Sequence, residues 1–126
     1  MAEKITKEEL LALSPEKVNE LAATEIMKRH ISPEGRYYWW ENASDGYMCR
    51  QAVNEWHPMS NIADAWLLLE KFPTSRLTRS TVSNHKWQCT LFQQDEFYNR
   101  TDSSSEADTA PAAITLACVA AALEVE

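Results

Sequence analysis

The stretch Thr109-Ala-Pro-Ala-Ala-Ile-Thr-Leu-Ala-Cys-Val-Ala-Ala-Ala-Leu123 decides the fold. Thr109, or Asp108 before it, is a natural N-cap, and Pro111 falls in the first turn, where its missing N–H costs nothing. From Ala112 to Leu123 nearly every residue is small and apolar. A helix without a polar face is buried on more than one side. In so small a domain, the expected neighbours are a sheet on one side and a second subunit on the other. The stretch is about one globular helix long, too short and too weakly apolar to span a bilayer.

Working back from that helix, Asp102–Asp108 (DSSSEAD) reads as a mobile polar loop. Two alternating runs precede it. Leu77, Arg79 and Thr81 alternate with Thr78, Ser80 and Val82, and Trp87, Cys89 and Leu91 with Gln88, Thr90 and Phe92, the pattern of paired strands. Ser83-Asn84-His85 would join them, and Phe97-Tyr98 would extend the pairing. Pro73 stops an earlier helix, capped by Ser60 or Asn61, that runs to about Phe72. Ile62, Ala65, Trp66, Leu69 and Phe72 share one face of it, which places Trp66 in the core.

Nearer the N-terminus, Arg36-Tyr-Tyr-Trp-Trp40 is strand-forming, Ser44-Asp45-Gly46 is a turn, and Tyr47–Val53 supplies a return strand. Ser14-Pro15 opens an amphipathic helix to about Arg29, with Val18, Leu21, Ala22 and Ile26 on one face. Thr6-Lys-Glu-Glu9 is a capping box within a short helical arm, residues 1–14. The order helix, hairpin, helix, hairpin, helix predicts one α+β domain over 1–126. It would be a layered sandwich of a small, mostly antiparallel sheet with three helices, assembled as a homo-oligomer, either dimer or hexamer.

Composition excludes several functions. The net charge of −7, from 19 acidic and 12 basic residues, argues against a DNA-binding face. Three cysteines, widely spaced and without CxxC, fit neither a disulfide framework nor a zinc site. The N-terminal MAEKITKEEL has no apolar h-region, so an intracellular protein is expected. The only glycines, Gly35 and Gly46, cannot build a glycine-rich phosphate loop. His30, His57 and His85 are scattered and lack metal-ligand spacing. No catalytic residues, metal or cofactor are expected, so the chain reads as a binder and not an enzyme.

Three segments resemble the phage ABA-sandwich domain family. Val18-Asn-Glu-Leu-Ala-Ala-Thr-Glu-Ile-Met27 looks like its opening helix, Pro58-Met-Ser-Asn-Ile-Ala-Asp-Ala-Trp-Leu-Leu-Leu-Glu-Lys71 like its central helix, and Thr109–Cys118 like its closing helix. Two departures stand out. Leu116 occupies a place where the family often carries a basic residue, and Tyr37–Trp56 is longer than the plain pattern. The resemblance implies phage anti-defence work in the host cytoplasm. Members with that role bind cyclic ADP-ribose isomers, such as glycocyclic ADP-ribose or a related cyclic nucleotide, without cleaving them. That blocks Thoeris defence, and such sponges are homo-oligomers. The alternative is a phage interaction protein with no small ligand.

A cyclic-nucleotide binder needs flat rings for adenine and donors for pyrophosphate. Phe97-Tyr98-Asn99-Arg100 supplies both beside the polar loop, with Arg76 and Arg79 flanking the preceding strand and Arg36 and Arg50 the aromatic hairpin. The expected ligand-binding set is therefore Arg100, Asn99, Phe97, Tyr98, Arg79, Arg76 and Arg50. Trp39, Trp40 and Trp56 are candidates for either core or an exposed aromatic patch.

Overall fold

The computed structural model describes residues 5–72, 74–79, 86–94 and 100–123. The N-terminal arm forms α1 (Lys7–Ala12), and both halves of the capping box are made: the Glu9 amide donates to Thr6 Oγ1, and the Thr6 amide to the Glu9 carboxylate. The arm is docked. Leu10 is buried in the core, and Lys7 Nζ donates to the Ser104 carbonyl at 3.2 Å.

Helix α2 (Pro15–Leu21) starts where Ser14 Oγ accepts the Lys17 amide. It continues as a π-helical turn over Ala22–Ile26, closed by the Met27 amide on the Ala22 carbonyl. Ala22 and Ala23 are fully buried where this turn meets the closing helix, since an alanine lets two helix backbones approach. Lys28 then takes a left-handed φ of 57°, and the Arg29 amide reaches back to the Ala23 carbonyl. This is a helix C-terminus of the kind usually completed by glycine.

The chain next forms β1 (His30–Ile31), β2 (Tyr37–Glu41) and β3 (Met48–Ala52), a three-stranded antiparallel sheet in that order. The predicted aromatic hairpin is β2–β3, with Trp39 opposite Arg50 and Trp40 opposite Cys49. Its turn is held by Asp45 Oδ1, which accepts the Tyr47 amide, and by Gly46 at φ 75°. The short β1 is an addition to the expected strands and pairs His30 with Trp39. A 3-10 turn (Val53–Glu55) leads to α3 (Ile62–Leu69), capped by Asn61 Oδ1 accepting the Ala63 and Asp64 amides.

The second antiparallel sheet, β4–β5–β6, comprises β4 (Thr74–Arg79), β5 (Trp87–Gln94) and β6 (Arg100–Ala107). Helix α4 (Ala110–Ala122) covers it. The architecture is α+β, as expected, but with two small sheets in place of one. All strand pairings among the described residues are antiparallel.

Three expectations need correction. The DSSSEAD segment is strand, not loop: Ser103, Ser104 and Ser105 pair with Leu91, Thr90 and Cys89. Serine has little strand preference of its own, but a ready edge on β5 and the underside of α4 satisfy its backbone and bury Ser105. Trp66 is 53% exposed rather than core. Helix α3 seats itself through Ala65, Leu68 and Leu69, and at 100° per residue this turns Trp66 to the flank.

The third correction concerns α4. Every residue from Ala113 to Ala121 is buried within the single chain, because α1, α2, the π-helical turn and α3 close over the side that the sheet leaves open. No second subunit is needed to cover it. Its one hydroxyl is used: Thr115 Oγ1 lies 2.8 Å from both the Pro58 and Pro111 carbonyls, which anchors the segment leading into α3. Leu116 is buried too, so this position faces the core and no ligand.

Candidate functional site: the aromatic face of the first sheet

Strand alternation divides Tyr37-Tyr-Trp-Trp-Glu41 between two faces. Tyr38 and Trp40 point toward the core, and Tyr37, Trp39 and Glu41 point away. The inner face is closed by Arg29. Its guanidinium carbon lies 4.1 Å from the Trp40 ring centroid and 4.6 Å from that of Trp56, and Nη1 donates to Gln51 Oε1 at 2.7 Å. Burial lowers the Arg29 pKa, and the Asp64 carboxylate opposes that shift. Trp56 is itself buried and donates its indole N–H to the Asn19 carbonyl at 2.9 Å. Of the three ambiguous tryptophans, Trp56 is therefore core, Trp40 is half-buried against it, and Trp39 lies on the outer face.

The outer face has a different character. The antiparallel register sets His30, Trp39 and Arg50 side by side across the three strands. The His30 ring stacks on Trp39, with centroids 4.3 Å apart and planes inclined by 27°. The Arg50 guanidinium covers Tyr37 at 5.1 Å. Tyr37, Trp39, Met48 and Arg50 line an open groove of about 450 Å³, and Met48 is 72% exposed. Flat rings, a polarisable thioether and a guanidinium on one surface suit a planar aromatic ligand that also carries negative charge.

Among the described candidates, Arg76 and Arg79 do not join this groove. Arg76 and Arg79 lie three apart on β4 and so point to opposite faces of the second sheet, Arg76 over Phe92 at 5.7 Å and Arg79 over Trp87 at 5.6 Å. Phe97, Tyr98 and Asn99 lie outside the described residues, as does the side chain of Arg100, whose backbone begins β6. Of the three candidates whose side chains are described, Arg50 alone is in the groove. Sequence reasoning noted Trp39 but missed His30 as its partner, because β1 is only two residues long. Among the described residues no group of three His, Cys, Asp or Glu is placed to hold a metal ion, and no helix is long and apolar enough to cross a membrane.

The family model for the phage ABA sandwich domain matches residues 20–119. The chain belongs to the phage ABA sandwich domain family. No curated protein matches it. The ABA sandwich match runs from the end of α2 into α4 and takes in both sheets, so the aromatic groove lies inside the family domain while α1 precedes it.

Proposed function

We propose that this ABA sandwich protein is a phage anti-defence sponge. It binds a cyclic ADP-ribose-type immune signal in the host cytoplasm and holds it uncleaved, as the type 1 Thoeris anti-defence protein that it resembles does. The observation that carries the reading is the outer face of the first sheet, where Trp39 and Tyr37 offer rings for adenine and Arg50 a two-pronged donor for pyrophosphate. Sequestration works by mass action, so it needs affinity and abundance but no nucleophile or general base.

Incubation with cyclic ADP-ribose isomers, separation from free ligand and heat denaturation tests the proposal. A sponge releases intact ligand. Release of a cleaved product makes the protein an enzyme, and release of nothing leaves it without a small-molecule role. That last outcome supports the second reading, a phage interaction protein, which the exposed Ile62, Trp66 and Leu67 of α3 favour.

A further inference from the structure

A separate cleft lies on the opposite side of the first sheet, between its inner face and α2. It consists of two adjoining cavities of about 210 and 290 Å³ that share Glu16, Tyr38 and Val53. The smaller is lined further by Trp56 and His57, and the larger by Lys17 and Glu20. Their size admits only a small molecule or one extended side chain.

Three features give this cleft a chemical preference. First, Tyr38 is only 1% exposed, yet its hydroxyl forms no hydrogen bond with the described residues. None of the described buried side-chain polar atoms is both sealed and unpartnered, so this hydroxyl opens onto the cavities that Tyr38 lines. Burial and the nearby Glu20 carboxylate both raise its pKa, which keeps the phenol protonated at neutral pH. Second, the charges at the rim do not balance. Lys17 Nζ is 2.6 Å from Glu20 and neutralises it, while Glu16 has no ion pair among the described residues. Third, the walls between these polar groups come from Tyr38, Val53 and Trp56, which suit a short alkyl body.

We infer that this cleft binds a primary alkylammonium ion. The ammonium pairs with Glu16 and donates to the Tyr38 hydroxyl, and the alkyl chain lies on Val53 and Trp56. The site is distinct from the aromatic groove, since Tyr38 and Tyr37 project from opposite faces of β2. His57 Nε2 is engaged with the Asn54 carbonyl, so that nitrogen is not free to meet the ammonium.

The test is titration of the full chain with putrescine, with Nα-acetyl-lysine methylamide and with tetramethylammonium, followed by NMR and calorimetry. Both primary ammonium probes are expected to bind with saturable shifts. Tighter binding of the diamine identifies a free metabolite, and tighter binding of the lysine derivative a presented side chain. Tetramethylammonium, which has no N–H to donate, is expected to bind about tenfold more weakly. Glu16→Gln and Tyr38→Phe should each weaken putrescine about tenfold, and neither change should alter retention of a cyclic ADP-ribose isomer. Tyr38→Phe keeps the ring and the packing, so loss of binding there is not loss of fold; thermal unfolding of both variants checks this. Equal affinities in wild type and both variants, equal affinity for tetramethylammonium, or no saturable shift with any probe would overturn the inference.

Discussion

The two sheets have the same strand count and the same antiparallel order, but they are used differently. In the second sheet each strand has one committed face. Cys89, Leu91 and Ser105 pack under α4, and the other face carries Thr78, Gln88, Thr90 and Ser104. There Gln88 Nε2 donates to Ser104 Oγ at 2.9 Å, so the polar side chains satisfy one another. The first sheet is aromatic on both faces. Its inner rings hold Arg29 and fill the core beside α2, and its outer rings meet solvent. The outer rings of Tyr37 and Trp39 are only partly shielded in the lone chain, so they contribute less to its stability than the inner ones and leave a surface available for binding.

Core truncations probe whether the two sheets share one core and give the largest expected effects. Trp56→Ala should cost about 3–5 kcal/mol and Leu91→Ala about 2–5 kcal/mol, measured by denaturant unfolding. Both residues belong to the same buried cluster, so each variant should still unfold in one transition that moves both sheets together. Two separated transitions in either variant would show that the sheets are independent units.

The buried thiols give a smaller effect, confined to alkaline pH. Burial pushes the Cys89 thiol up to about 11 and that of Cys118 higher still, with Cys89 adding to the latter shift. An unfolded thiol titrates near about 8.5. Both groups therefore favour the folded state most below that value, and their contribution is lost as pH rises from there through about 11. Stability measured across that window should fall with pH, and Cys89→Ala with Cys118→Ala should flatten the slope. In a thiol-reagent assay the half-buried Cys49 of the first sheet should react first, and the other two only on opening. Equal rates for all three thiols would contradict the packing of α4 on the second sheet.

The smallest stability effect is expected on the outer face of the first sheet, and it sharpens the contrast most. Trp39→Ala removes the His30 stack and a ring that is only partly shielded, so it should cost less than Trp56→Ala, about 1–2 kcal/mol. The same change should abolish retention of a cyclic ADP-ribose isomer if the groove is the ligand site. A large loss of stability would make Trp39 a structural residue, and unchanged retention would move the site toward Arg76, Arg79 and Arg100.

What was legible in the sequence was local. Thr6, Ser14, Asn61 and Thr109 each cap the helix that their position announces, because a cap is a contact between residues two or three apart. The aromatic run Arg36–Trp40 and the alternation of Trp87–Phe92 predicted strands for the same reason. Membership of the ABA sandwich family was legible too, since its helices recur in order. Tertiary structure decided everything that depends on a distant partner. Ser103–Ser105 became strand because β5 offered an unpaired edge, and α4 needed no second subunit because four other helical segments close over it. Trp66 turned outward because Ala65, Leu68 and Leu69 seat the helix more closely, and His30 met Trp39 only through the register of a two-residue strand. Propensity and periodicity describe what a segment can do alone. Which face is covered, and by what, is a property of the packed chain.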